Sequence, residues 1–331
     1  MNREFRLASR PVGEPGLANF ELVTTQIPQP GEGQILVRNT WMSVDPYMRG
    51  RMDDAESYVA PFEVGKVLQG DAVGEVVASR SVDVPVGATV SHFAGWREYA
   101  LLDAADVTVV DVSIARPQDY LGALGMTGLT AFLAVTEIAR VRDGDVVFIS
   151  GAAGAVGSVA GQLARKFGAA RVIGSAGGAD KGRVLTEVFG FDAAIDYRAG
   201  SIAEQLAVAA PDGIDVYIDN VGGEHLQAAI GALNVHGRAA LLGMISGYNA
   251  TGPVPGPSNL YDVVTKQLVV KGLLVTAHFD RFPAFIAQAA GWLADGSLRT
   301  RETVVDGIEQ APAAFLGLLR GANTGKMLVR L

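Results

Sequence analysis

The chain has 331 residues, 49% of them hydrophobic and 19% charged, enough apolar material for a large core in a compact globular protein. A formal net charge of −8 with no basic block argues against nucleic acid or an anionic membrane as partner. There is no cysteine, which excludes disulfides, thiolate catalysis and thiolate-bound zinc. The opening stretch MNREFRLASRP lacks the apolar core of a signal peptide, and no run of about 18 apolar residues suggests a membrane span, so a cytoplasmic location is expected.

From Phe5 to about Arg116 the chain reads as short β-prone pieces broken by Gly and Pro. They include Gln34–Arg38, Asp71–Val77, Ala88–Val90 and Glu98–Leu102, which together suggest a small, irregular β-barrel-type domain. Around Asp119 the character changes to a small-residue, apolar helical stretch, Tyr120–Leu133, and a domain boundary is expected near residue 118. Beyond it βα units alternate, as in a doubly wound parallel sheet. Strands are expected at Val146–Ser150, Arg171–Ser175, Ala193–Asp196, Asp215–Asp219, Arg238–Leu242 and Leu268–Val275. Helices are expected after the first glycine turn and over Asp180–Phe189, Ser201–Ala209 and Phe282–Leu293. The tail, Gly325–Arg330, is again β-like and is expected to return to the first domain. The division is thus 1–118 for a β-barrel-type domain, 119–295 for the doubly wound domain, and 296–331 for the return.

The most informative stretch runs from Val146 to Phe167. An apolar strand feeds Gly151, Gly154 and Gly157, and then a helix. Such a turn presents unpaired backbone N–H groups and the positive end of a helix dipole at one point, where a pyrophosphate binds. Ala152 stands where the second glycine of the G-x-G-x-x-G pattern would be, so the turn alone is a weak signal. A tight strand–helix turn built for close packing is the plainer reading, but the flanking strand, helix and further βα units favour a dinucleotide. An NAD site usually has an acid at the second strand's tip for the ribose 2′-hydroxyl. Here the tip is Gly174-Ser-Ala-Gly-Gly178. With no acid to repel a 2′-phosphate, and with Lys181 and Tyr197 close in the expected topology, NADP(H) is favoured. Asp180 is expected to cap the following helix.

The motifs Ser43-Val-Asp-Pro-Tyr-Met-Arg49, Gly125-Met-Thr-Gly-Leu-Thr-Ala131 and Ala152-Ala-Gly-Ala-Val-Gly-Ser158 carry a family resemblance. So do Phe189-Gly-Phe-Asp192, Asp219-Asn-Val-Gly-Gly223, Gly243-Met-Ile-Ser-Gly-Tyr-Asn249 and Asn323-Thr-Gly-Lys326. In this order, over nearly the whole length, the chain resembles the zinc-independent medium-chain dehydrogenase/reductases. Within them it resembles the group of prostaglandin and leukotriene reductases, plant alkenal double-bond reductases and bacterial curcumin reductases. The resemblance implies a GroES-like catalytic domain at both chain ends, a Rossmann domain between them, a homodimer paired through sixth strands, and NADPH-dependent reduction of an enone or enal. Carried over by motif, it places Ala153, Gly154, Ala155 and Val156 at the pyrophosphate, with Lys181 and Tyr197 at the 2′-phosphate. It lines the ribose and nicotinamide with Asn220, the loop of Gly243, Met244, Ile245, Ser246 and Tyr248, then Leu273, Leu274 and Val275, with Asn323. Met126 and Thr130 are expected beside the nicotinamide.

Zinc relatives carry Cys, His and Cys at their catalytic metal; here Met42 and Gly70 match the first two, and Gly122–Gly125 offers no third. His92, His225, His236 and His278 are scattered without ligand spacing and read as surface or strand-end residues, so no metal is expected. Hydride addition to the β-carbon of an enone makes an enolate, whose oxygen then needs neutral hydrogen-bond donors, the nicotinamide ribose hydroxyl or a tyrosine phenol. Tyr58 and Tyr248 are the favoured phenols and Tyr47 the third, each equally readable as a half-buried tyrosine with a satisfied hydroxyl. Thr265 stands where mammalian and plant members have a tyrosine, which weakens prostaglandins as substrates but not the double-bond chemistry. The Tyr58–Phe62 and Tyr248–Leu260 segments suit walls of an apolar substrate cleft. An NADPH quinone oxidoreductase and a non-catalytic NADPH-binding scaffold or sensor are the alternatives.

Overall fold

The computed structural model describes residues 1–331, which divide into two compact units. The first comprises Met1–Gly122, Asn249–Thr251 and Glu302–Leu331, and the second Ala123–Tyr248 and Gly252–Arg301.

The first unit opens with β1 (Asn2–Leu7), which pairs antiparallel with β2 (Phe20–Thr25). Next come β3 (Gln34–Ser43) and the short helix α1 (Met48–Arg51). After them run β4 (Ala72–Ser79), β5 (Thr89–His92), β6 (Tyr99–Asp103) and β7 (Thr108–Val109). β3 runs five residues past the expected Arg38. Asn39 breaks the apolar pattern, yet it is buried because its amide donates to the carbonyls of Ala94 (3.1 Å) and Arg97 (2.9 Å). A register shift follows between Asn39 and Trp41.

The second unit starts with α2 (Met126–Leu133), so the expected helix over Tyr120–Leu133 is broken at Gly122–Gly125. Then come β8 (Val146–Ile149), α3 (Ala155–Lys166), β9 (Arg171–Ala176) and α4 (Ala179–Arg183). They are followed by β10 (Ala193–Asp196), α5 (Ile202–Ala209), β11 (Ile214–Asp219) and α6 (Gly223–Ala232). β12 (Leu233–Leu241), α7 (Tyr261–Thr265), β13 (Val269–Gly272) and α8 (Phe282–Ala294) complete the unit. The six strands form one parallel sheet in the order β10-β9-β8-β11-β12-β13, the doubly wound arrangement whose switch point lies between β8 and β11. Side chains alternate across it as the pleat requires. Val147 and Ile149 of β8 face a core with Val159 and Leu163 of α3, while Phe148 between them faces Leu206 of α5 and Ile230 of α6. Each such fully buried side chain contributes roughly 1.5–3 kcal/mol.

The chain then returns to the first unit as β14 (Glu302–Asp306), α9 (Ala311–Leu319) and β15 (Lys326–Arg330). β15 pairs with β14 in parallel and with β3 antiparallel, completing a seven-stranded sheet. No helix is long and apolar enough to cross a membrane.

Candidate functional site

The chain leaves β8 and turns through Gly151–Gly154 into α3. No side chain caps α3 and its first turn contains no acid. Its first-turn amides, those of Ala155 and Val156 among them, lack intrahelical acceptors and remain available to an anion. A Cβ on Gly157 would fall 2.6 Å from both Ala152 Cα and Gly151 O, so only glycine lets the helix begin this close to the turn. Ala153, beside it, is buried.

Asp219, fully buried at the end of β11, ties the switch point together. Its Oδ1 accepts hydrogen bonds from Tyr217 OH (2.7 Å), Ser150 Oγ (2.8 Å) and the backbone N–H groups of Val221 and Gly222 (2.9 Å each). Asn220 donates its backbone N–H to Ser150 Oγ (2.9 Å) and its side-chain amide to Ser150 O (2.8 Å), which locks the ends of β8 and β11 together. The Gly243–Tyr248 loop is bound to the same corner. Ser246 donates through its N–H (3.1 Å) and its hydroxyl (2.6 Å) to Val221 O, and Ile245 N–H reaches Asn220 O at 3.4 Å. Tyr248 OH accepts from Met244 N–H at 3.4 Å, and burial raises its pKa, so the phenol keeps its proton.

A second group of residues lies at the tips of β9 and β10. A Cβ on Gly177 would sit 2.7 Å from Tyr197 OH and 2.8 Å from Arg198 Nε, so a phenol and a guanidinium converge on this bare backbone. Burial, and then the Arg198 charge, hold the Lys181 pKa below the usual lysine range. Asp196 accepts from the backbone N–H groups of Gly178 (2.8 Å) and Arg198 (3.0 Å). Asp180 pairs with Arg183 on the surface; the residue at the N-cap of α4 is Gly178, so the expected capping by Asp180 does not occur. Two cations and a phenol suit a dianion such as a ribose 2′-phosphate. Arg198 was not singled out from sequence; the signal was a cation directly after the strand-end tyrosine.

His225 corrects the expectation of a surface or strand-end histidine. It is buried near the start of α6, its Nε2 lies 2.8 Å from Ser175 Oγ, and its ring meets the Tyr197 ring edge-on at 5.6 Å. Burial lowers its pKa, so the imidazole is neutral and braces the tyrosine. His92 is also buried, at the end of β5, with its pKa pushed down to about 3. Leu273 donates its N–H to Leu241 O (3.0 Å) just past β13, so the expected sixth strand stops before Leu273–Val275; Val275 opens a short 3-10 turn. Met126 and Thr130 lie in the first turns of α2, where the Thr130 hydroxyl donates to Met126 O (2.7 Å).

The remaining candidates lie in the first unit. Tyr58 is 57% exposed. The buried Asn323 donates its amide to Gly325 O (2.7 Å), shaping the turn into β15. The Tyr47 hydroxyl is sealed from solvent, and its polar neighbour is the Arg51 guanidinium. Arg51 also donates through its Nε to Ala60 O (2.8 Å) and through its Nη2 to Gln69 Oε1 (2.9 Å). Burial, with Asp71 and Asp45 nearby, raises the Tyr47 pKa well above that of a free phenol. Asp45 is ion-paired with Lys326 and accepts from Ser43 Oγ. The positions aligned with zinc ligands do not fit a metal. Met42 is packed in the core, and the space a side chain at Gly70 would need is filled by Met48 Cε. No group of three or more His, Asp or Glu side chains is arranged to hold an ion. Thr265 ends α7, its hydroxyl turned back to Asp262 O (3.5 Å), and Tyr261, one turn earlier in that helix, is exposed.

Residues 3–110 match the family described as the N-terminal domain of oxidoreductase, and residues 155–291 the one described as zinc-binding dehydrogenase. The chain is 39% identical to the NADPH-dependent curcumin reductase of Escherichia coli (strain K12), over 100% of this chain and 97% of that protein. It is 37% identical to prostaglandin reductase 1 of Mus musculus, over 96% and 95%. The crystal structure of CurA from Vibrio vulnificus in complex with NADPH superimposes with a TM-score of 0.94 at 40% identity, covering 99% of this chain and 98% of that one.

Proposed function

The chain belongs to the zinc-independent medium-chain dehydrogenase/reductases, in their enone reductase group, and uses NADPH as an oxidoreductase; from that premise we propose that it saturates the carbon–carbon double bond of α,β-unsaturated ketones and aldehydes. Bound NADPH would supply the hydride to the β-carbon. The chain's own part is to grip the cofactor and to hold the charge that develops on the carbonyl oxygen. The first-turn amides of α3 bind the pyrophosphate; Lys181, Tyr197 and Arg198 bind the 2′-phosphate; the Gly243–Tyr248 loop and Asn220 border the ribose and nicotinamide.

One observation carries the reading: where zinc relatives place a metal, this chain has Met42 and Gly70 and, a few residues on, a protonated phenol beside the Arg51 guanidinium. A protonated Tyr47 can donate to an enolate oxygen that reaches it, with Arg51 beside it to offset the negative charge. Tyr248, protonated and only weakly bonded, and Tyr58 are the other phenols of the reading. The test is NADPH consumption with a medium-chain 2-alkenal, followed by product identification. A saturated aldehyde is expected; an allylic alcohol, or turnover of quinones alone, contradicts the proposal.

The strand at the sheet edge, β13, exposes Val269 and Val270 beside unpaired backbone groups, which supports a homodimer paired through that edge. Light scattering should give twice the chain mass, and a monomer at micromolar concentration would remove this part of the reading. A cytoplasmic location fits an enzyme that draws on the cell's NADPH; fractionation that recovers it elsewhere would contradict that assignment.

A further inference from the structure

Two of the sequence motifs, Ser43–Arg49 and Gly243–Asn249, meet through their last residues. The Arg49 side chain is almost wholly buried, 2% exposed. Each arm of its guanidinium has its own acceptor: Nε donates to Asn249 Oδ1 (3.1 Å), Nη1 to Asp53 Oδ1 (2.7 Å) and Nη2 to Gly13 O (2.8 Å). Gly13 has a φ of +75°, and a Cβ there would approach Thr251 Cγ2 to 3.2 Å, so the same corner also packs closely against Thr251. Asn249–Thr251 is the one stretch at which the chain leaves the nucleotide-binding unit and is held in the first unit before re-entering at Gly252. It follows Tyr248 directly.

We infer that Arg49 is a positioning residue, which fixes the Gly243–Tyr248 loop by anchoring Asn249. The physical basis is that a buried guanidinium with three acceptors is costly to move, because any shift leaves a buried charge or acceptor unpaired. The anchor is one peptide bond from Tyr248, and the bonds within the loop that orient the phenol are few: Met244 N–H to Tyr248 OH at 3.4 Å, and Tyr248 N–H to Ile245 O at 3.3 Å. The inference rests on the proposed placement of this loop beside the cofactor.

The test uses the full chain with two readouts, amide hydrogen exchange over residues 243–251 and NADPH affinity by fluorescence. Arg49→Lys keeps the charge but cannot serve three acceptors. Asn249→Ala removes the acceptor from a half-buried position with little risk to folding, and Asn249→Asp keeps an acceptor for the guanidinium. We expect Arg49→Lys and Asn249→Ala each to speed exchange of the Ile245–Tyr248 amides about ten-fold and to weaken NADPH about ten-fold. The double variant should be no worse than the worse single, and Asn249→Asp should resemble the unmodified protein. Faster exchange with unchanged NADPH affinity reduces Arg49 to a packing role and overturns the inference. So does weaker NADPH binding without faster exchange, additive losses in the double variant, or no change in either readout. Failure of the unmodified chain to reduce an enone would count against the proposed function, and the exchange and affinity data would still decide the role of Arg49.

Discussion

Lys181→Ala should separate NADPH from NADH. Lys181 is held partly out of water and beside a second cation, Arg198, which together lower its pKa, and a bound 2′-phosphate would favour its charged form. A hydrogen bond between charged partners at such a site is worth about 1.5–3 kcal/mol, or about 10- to 150-fold in affinity. Removing the ammonium should therefore weaken NADPH by one to two decades. NADH, which has no 2′-phosphate, should bind within two-fold of its original affinity. Tyr197→Phe removes one neutral donor and should cost about 1 kcal/mol. Arg198→Ala, at a more open position, should cost about 1 kcal/mol or less, and less still at high salt. Because the lysine pKa starts below its usual value, NADPH affinity should fall on the alkaline side at a lower pH than an ordinary lysine would give. Fluorescence titration with both nucleotides over pH 6–10 reads all of this. Equal losses for NADPH and NADH in Lys181→Ala, or no loss for either, would refute the assignment of this corner to the 2′-phosphate.

Gly157→Ala places a methyl 2.6 Å from the backbone of the turn, so it should cost about 1–3 kcal/mol of stability and weaken both nucleotides, read by thermal unfolding with and without NADPH. Asp71→Asn should stabilise the protein at neutral and alkaline pH. Burial, with Asp45 nearby, raises the Asp71 pKa from 3.8 to about 7 despite the opposing Lys326 charge. The folded chain thus keeps a proton that the unfolded chain has lost, and stability drains as pH rises from about 4 to about 7. That shift carries up to about 4 kcal/mol, a ceiling because the residue retains some exposure. The melting-temperature advantage of Asp71→Asn should accordingly grow between pH 5 and pH 8, and a constant advantage would contradict the mechanism. Tyr47→Phe should lower kcat with an enal about 100-fold while leaving NADPH affinity unchanged; steady-state kinetics and fluorescence titration check both halves.

What could be read from the sequence was what depends on local pattern. The strand, glycine turn and helix from Val146 to Lys166 follow from an apolar run and three glycines, and the six parallel strands follow from repetition of that unit. Where the reading stopped short, a long-range partner decided the outcome. β3 passes through Asn39 because carbonyls some 60 residues away along the chain satisfy its amide. Leu268–Val275 looked like one strand, but pairing with β12 covers only Val269–Gly272. The site divides in the same way. Lys181 and Tyr197 could be placed from topology, whereas the bracing of Tyr197 by His225, and of Asn249 by Arg49 from 200 residues away, exists only once the chain is folded. The raised pKa of Tyr47 likewise depends on burial by residues that no spacing rule connects to it.

The carbon that receives the hydride distinguishes double-bond from carbonyl reduction. With NADPH deuterated at the transferred position and a 2-alkenal as substrate, mass spectrometry and NMR should find one deuterium on the β-carbon of a saturated aldehyde. Deuterium on the carbinol carbon of an allylic alcohol would contradict the account.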